Sequence, residues 1–232
     1  MITQIFDFDG ISAENLILTR IKANSKAYEG FDFCKTYIQT NEKDEKCAII
    51  NIIDNSATVF MFLNHLQEEL FDFLNFFGIK NLFCNFNFEN AKKKSVLKSS
   101  ETNGEKHYDT TLFPDYKSVF SLLKEEFFIN DYNNFVSDLS FRLKHNRAKI
   151  ICEDFGFVFT LWETKSSAVI SAIAVNGESR NANKGSSLLQ SIVYDLKCEN
   201  KDIYVYCEES LEGFYIKNGF IKTGFIYTGE LN

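Results

Sequence analysis

The sequence predicts a mixed α/β fold: a mostly antiparallel sheet flanked by helices, laid out as a tandem pair of similar halves. Three observations lead there. Residues 168 to 193 read as a strand, a polar turn and an amphipathic helix. Two helical periods and two further short strands precede them. The first ninety residues repeat part of that order, as hairpin, helix and strand. A chain of 232 residues suits two small domains of about 100 residues each. The reading sets an N-terminal domain at 1–90, a linker at 91–106 and a C-terminal domain at 107–232.

In the first domain, Cys47 to Ile53 and Ala57 to Leu63 are apolar runs about the turn Asp54-Asn-Ser56, the pattern of a hairpin. A helix follows with Leu66, Leu70, Phe73, Leu74 and Phe77 on one face, and Gly78 stands at its C-terminal end. Asn81 to Phe86 is the next strand. Residues Glu89 to Lys106 bring lysines and small polar residues with little apolar periodicity, which reads as a linker.

Beyond it, Val119, Phe120, Leu122, Leu123, Phe127 and Phe128 recur at helical spacing within Tyr116 to Phe128. Asp131 or Asn133 is placed to cap a second helix carrying Phe135, Val136, Leu139, Phe141 and Leu143. Ala148 to Asp154, Gly156 to Glu163 and Ala168 to Val175 are three antiparallel strands joined by short turns. Gly185 opens a helix with Leu188, Leu189, Ile192 and Val193 on one face. Asp202 to Cys207 is a strand, a short helix lies between Ser210 and Asn218, and Phe220 to Thr223 and Phe225 to Gly229 form a final pair of strands.

Composition narrows the function. Twenty-five Phe residues supply a core of large rings, and a net charge of −7 argues against a broad nucleic-acid surface, which needs clustered cations. Lys92-Lys-Lys94 reads as a solvated run. Six Cys and three His are scattered without paired spacing, so no metal is expected. No signal peptide pattern opens the chain and no apolar run reaches the ~18 residues that span a bilayer, so a cytoplasmic protein with free thiols and no membrane partner is expected.

The chemistry concentrates in the turn from Asn176 to Lys184. It holds no bulky apolar side chain and delivers the strand into a helix N-terminus, where unpaired backbone N–H groups and the positive end of the helix dipole suit a phosphate. Arg180, Asn183 and Gly185 stand where the GNAT superfamily of acetyl-CoA-dependent N-acetyltransferases has its Arg/Gln-x-x-Gly-x-Gly/Ala signature. Leu211-Glu-Gly-Phe-Tyr-Ile-Lys-Asn-Gly-Phe220 is similar to that family's Ala-x-x-x-Tyr-x-x-x-Gly-Phe ending. One residue departs: Asn183 replaces the first loop glycine, and Asn is the side chain that best tolerates left-handed backbone angles.

The resemblance implies a splayed sheet and acetyl-CoA as co-substrate, with no metal. It implies that backbone groups of Ile173, Ala174 and Val175 hold the pantetheine arm. The pyrophosphate would then lie on Arg180, Asn181, Ala182, Asn183, Lys184, Gly185 and Ser186. Tyr215 matches the family's tyrosine, a phenol with pKa near ~10 that can donate a proton to the leaving thiolate. The partner would be an amine acceptor bound beside the first two helices or between the halves, attacked in a ternary complex because no cysteine occupies the loop or the Tyr215 position.

Glu153, Asp154, Glu163 and Glu208 are candidate bases, while His145 sits in a charged turn. The first half, with Asn64-His-Leu-Gln-Glu-Glu-Leu70 in place of the loop, resembles a degenerate GNAT-like repeat: it lacks glycine and brings carboxylates to the helix start. Two other readings stay open: a non-catalytic acyl-CoA-binding or interaction module on the same fold, and a different α/β protein holding another phosphate ligand. The acceptor is undetermined, and a homodimer stays open as an arrangement.

Overall fold

The computed structural model describes residues 1–8, 10–11, 14–63, 66–100, 105–127, 130–180 and 182–231. In chain order these form β1 (Ile2–Ile5), α1 (Leu16–Ala27), β2 (Cys34–Thr40), β3 (Lys46–Ile53), β4 (Ser56–Met61), α2 (Gln67–Phe76), β5 (Asn81–Cys84) and β6 (Lys92–Ser99). There follow α3 (Tyr116–Phe127), α4 (Tyr132–Lys144), β7 (Ile150–Glu153), β8 (Gly156–Glu163), β9 (Ser167–Val175), α5 (Lys184–Cys198), β10 (Asp202–Cys207), α6 (Glu212–Lys217) and β11 (Phe220–Glu230). The chain divides into two compact units. One comprises Met1–Val96, Tyr206–Ser210 and Thr223–Asn232; the other comprises Leu97–Val205 and Leu211–Lys222.

In the first unit β1 to β4 run antiparallel in sequence order, β4 pairs parallel with β5, and β11 pairs antiparallel with β5. β3 is buried along nearly its whole length because helices cover both of its faces, which is why Cys47 to Ile53 reads as an apolar run interrupted at Asn51 rather than an alternating one. Leu70 and Leu74 of α2 enter the core formed by Ile50, Ile52, Val59 and Leu82. α1 packs against β2, β3 and β4. Its N-terminus is capped by Asn15, whose Oδ1 accepts from Leu18 N at 2.9 Å.

In the second unit β7, β8 and β9 are antiparallel and β9 pairs parallel with β10. Val119 and Leu123 of α3 and Leu139 and Leu143 of α4 close over Ile150, Phe157, Phe159, Ala172 and Ala174. α5 packs against β7, β8 and β9. Asp131 caps α4, its side chain accepting from Asn134 N. Among the described residues no helix is long and apolar enough to cross a membrane.

The structure departs from the sequence pattern at several elements. Lys92–Ser99, expected within a linker at 91–106, is the strand β6, and residues 101–104 of that stretch lie outside the described residues. Its buried positions include Ser95, Val96, Leu97 and Ser99, small enough to pack yet two of them polar, and its lysines turn outward, so no apolar alternation announces it. The expected final pair of strands is the single strand β11, which continues through Gly224. α5 begins at Lys184, one residue before Gly185, and Phe128 of the first expected helix lies outside the described residues. β1, α1 and β2 had no counterpart in the sequence pattern.

Candidate functional site

β9 carries the site. Its ladder with β10 runs from Ser167↔Asp202 to Ile170↔Val205 and stops there, whereas β9 itself continues to Val175. Along the other edge it stays paired with β8, Ile173 to Val158, Ala174 to Phe157 and Val175 to Gly156. The change coincides with irregular register: Phe159 pairs Ala172, Thr160 pairs Ile170 and Trp162 pairs Val169, so that Ser171 and Leu161 are each left over. Such bulges bend a strand and increase its twist. Ser171 Oγ accepts from Leu161 N at 3.0 Å and donates to Val169 O at 3.2 Å, satisfying the extra backbone group. A side chain at Gly156 would put its Cβ 2.3 Å from Ala174 O, so only glycine lets β8 hold the end of β9 this closely.

From Val175 the chain turns sharply into α5. Asn176 N donates to Phe155 O at 2.8 Å, and the Asn176 side chain accepts from Ser179 N at 3.0 Å, closing a short 3-10 turn over Gly177–Ser179. Asn183 then takes left-handed angles, φ 58° and ψ 6°, at the start of α5. The position demands a positive φ, and Asn meets it in place of glycine. The amides of Lys184, Gly185 and Ser186 precede any intrahelical acceptor. Asn181, between Arg180 and Ala182, lies outside the described residues.

A Cβ at Gly185 would meet Val175 Cγ2 at 3.6 Å and the Phe214 ring at 3.7 Å, ordinary contact distances. That geometry joins the two sequence motifs, since Phe214 belongs to α6 and brings it against the first turn of α5. The next residue, Tyr215, is buried on α6, with its ring edge-on to Phe214 at 5.1 Å and to Phe220 at 5.7 Å. Neither Phe214 nor Ser171 was singled out from the sequence, although a lone serine inside an apolar strand and an aromatic beside the motif tyrosine were visible signals.

The charged side chains of the turn are already engaged. Arg180 forms an ion pair with Glu126 near the C-terminal end of α3, and its Nε donates to Val175 O at 3.4 Å. Lys184 lies over the Phe155 ring, its Nζ 4.7 Å from the centroid. Glu126 gave no sequence signal, because 54 residues separate it from Arg180.

The candidate bases disperse. Glu163 pairs with Ala168, at the opposite end of the β8–β9 hairpin from Val175, and is buried. Its Oε1 accepts from the Thr160 hydroxyl and its Oε2 from Lys201 Nζ at 2.6 Å, and Lys201 also reaches Glu199 at 2.7 Å. Burial alone would lower the Lys201 pKa, but Glu163 and Glu199 outweigh it and hold the ammonium above its ordinary value. Glu163 is thus a structural partner rather than a base. Glu153 closes β7 opposite Gly156, Asp154 is exposed in the following turn, and Glu208 pairs with Lys94 at 3.3 Å. His145 Nδ1 donates to Phe141 O, 2.7 Å away, in an exposed C-terminal turn of α4.

Compared with solved structures, the chain is similar to a GNAT-family acetyltransferase from Colwellia psychrerythraea, with TM-score 0.57 and 11% identity over 100% of both chains. The chain has the GNAT fold. A GCN5-related N-acetyltransferase from Sphaerobacter thermophilus matches with TM-score 0.58 and 12% identity over 92% of this chain and 91% of its own. A tandem GNAT protein from the clavulanic acid biosynthesis pathway matches with TM-score 0.52 and 9% identity over 99% of this chain and 98% of its own. At these identities the likeness is one of fold. No protein-family profile matches the chain, and no curated protein sequence does.

The GNAT arrangement recurs in the first unit with a different outcome. The parallel ladder of β4 and β5 runs from Ser56↔Asn81 to Val59↔Cys84. One residue beyond its end, the Asn85 side chain accepts from Met61 N at 2.8 Å and donates to Met61 O at 2.9 Å. A side-chain amide therefore bridges the edge of β4 just past its parallel ladder. α2 opens with Leu66 at φ 65°, has Glu68 and Glu69 in its first turn, and Glu69 pairs with the Met1 ammonium at 3.1 Å. Asn64 and His65 of the expected loop lie outside the described residues.

Proposed function

We propose that the second unit binds acetyl-CoA along β9 and the start of α5 and transfers the acetyl group to a primary amine by direct attack. The observation that supports this best is the end of the β9–β10 ladder at Ile170↔Val205, which frees the β9 edge just where it leads into a helix N-terminus. When bound, the coenzyme supplies an acetyl thioester. In this reading backbone groups of Ile173, Ala174 and Val175 pair with the pantetheine arm as an added strand would. The amides of Asn183, Lys184, Gly185 and Ser186 take the pyrophosphate, with Arg180 and Lys184 adding charge. Tyr215 holds the proton that the departing thiol needs and recovers one from solvent, and the amine loses its proton to water.

Incubation with acetyl-CoA and a panel of primary amines, followed by free-thiol release, tests the transfer. Tyr215→Phe is expected to lower turnover on the order of a hundredfold with coenzyme affinity nearly unchanged. Collapse of affinity with an intact rate per bound coenzyme overturns the role given to Tyr215. Gly185→Glu is expected to abolish coenzyme binding by steric block and repulsion, and normal binding by that variant moves the site elsewhere.

The dispersal of the candidate bases favours a second reading, an acyl-CoA-binding module without turnover, because Glu163 is held by Lys201 and Thr160. It predicts coenzyme binding with no thiol release for any amine. The amine's identity is set by α3, α4 and their surroundings, which fold alone does not specify.

A further inference from the structure

A second candidate site lies in the first unit, away from β9. A cavity of about 600 Å³ opens at the start of the β4–β5 ladder, with Ser56, Asn81 and Gly229 among its lining residues. Its charged lining consists of Arg20, Lys92 and Lys94 against a single carboxylate, Glu230. That excess of cations stands out in a chain of net charge −7. The cations come from separate elements, Arg20 from α1 and the lysines from β6, so chain folding gathers them rather than a sequence run alone.

The walls are shaped. The Arg20 guanidinium lies over the Phe83 ring, its Cζ 4.1 Å from the centroid. The turn carrying Asn90 is tight, with Asn90 at φ 60° and Ala91 N donating to Phe88 O at 3.2 Å. A Cβ at Gly229 would stand 3.4 Å from Ala91 Cα and from Asn90 O and 3.3 Å from Phe88 Cζ. Glycine there lets this turn lie against β11, and Asn90 and Lys92 both line the cavity. Lys94 shares its charge with Glu208 at 3.3 Å, a partner with an exposed side chain.

We infer that this cavity binds a small phosphorylated molecule, with the phosphate held by Arg20, Lys92 and Lys94 and the amides of Asn81 and Asn90 on its remainder. A doubly charged phosphate suits a lining of Arg20, Lys92 and Lys94 beside Glu230, with Lys94 shared with Glu208, and a guanidinium fork matches its oxygens. The volume falls in the range of ligand pockets and exceeds what a lone phosphate fills. The inference does not depend on acetyl transfer, because every lining residue belongs to the first unit.

Inorganic pyrophosphate titrated into the full chain at constant ionic strength, followed by calorimetry, is the test, with citrate as the carboxylate comparison. Because pyrophosphate would also enter the turn before α5, the titration is run in wild type and in Gly185→Glu. Binding that survives Gly185→Glu and weakens about tenfold or more in Lys92→Glu, an exposed substitution, is the expected result. The same loss in Lys92→Glu/Lys94→Gln, with the thermal transition unchanged, separates charge from folding. Pyrophosphate binding lost in Gly185→Glu, or untouched by the lysine substitutions, overturns the inference. Citrate binding as tightly as pyrophosphate overturns the choice of phosphate. Failure of acetyl-CoA to bind or turn over, with these titrations as expected, would count against the proposed transferase alone.

Discussion

Lys201 and Glu163 sit at the closed end of the β8–β9 hairpin as a buried ion pair, supported by Thr160, Glu199 and Lys149. Replacing Lys201 with Met leaves a carboxylate buried beside Thr160, and loss of one partner of such a pair costs about 3–5 kcal/mol. Urea unfolding should report that loss, with a smaller one for Glu163→Gln/Lys201→Met. Lys201 also sets an alkaline limit. Its pKa is raised on folding above the ordinary 10.5, so the stability it contributes is complete below the unfolded value and fades as pH climbs through the folded one. Glu199 works with the opposite sign: burial would raise its pKa, the contacts from Lys149 and Lys201 outweigh this, and its contribution is lost as pH falls below the ordinary 4.5. Thermal melts against pH should therefore drop at both extremes, and the alkaline drop should shrink in Lys201→Met. At Asn183 the left-handed backbone makes Asn183→Ala cost about 1 kcal/mol, whereas Asn183→Gly should be neutral or better. Equal effects of the two substitutions would mean that the turn relaxes.

At the scale of elements, the bulge in β9 couples stability to the site. Ser171→Ala removes the acceptor for Leu161 N, and a part-buried N–H left unsatisfied costs about 1–3 kcal/mol. The same change should weaken coenzyme binding, because Ser171 lies where β9 parts from β10. Ser137→Ala at an exposed position of α4 serves as a control expected within about 0.5 kcal/mol. An unfolding midpoint for Ser171→Ala indistinguishable from the control would show that the serine does not hold the bulge. What could be read in advance follows from the same physics. β8, β9 and α5 announce themselves because strands covered by helices and an amphipathic helix leave clean apolar patterns. α1 does not, since Thr19 and Asn24 are buried among its apolar residues and blur the stripe. β2 hides for a similar reason, with Thr36 and Gln39 buried in a strand of mixed character. β6 is concealed by lysines at its start and buried serines further along. Within the candidate site, the turn and Tyr215 were legible as local motifs, but Glu126 and Phe214 act across sequence distance or through packing that no motif encodes.

Across the whole molecule, a chain that builds a related pattern twice could hold two coenzymes, and the details of the first unit argue for one. Asn85 satisfies both backbone groups of Met61, so an arm joining the edge there would have to displace it. Two carboxylates in the first turn of α2 oppose an anion where the helix dipole would otherwise favour it. On β10 the residue after the ladder is Tyr206, whose side chain has no amide to make such a bridge. The carboxylates were plain from the sequence; the Asn85 bridge was not, because an asparagine after a strand reads as a turn residue. Calorimetric titration of the full chain with acetyl-CoA should thus give one site, abolished by Gly185→Glu and unaffected in number by Glu68→Gln/Glu69→Gln. Two equivalent sites, or one that persists in Gly185→Glu, would assign coenzyme binding to the first unit and undo the division of labour that Asn85 implies.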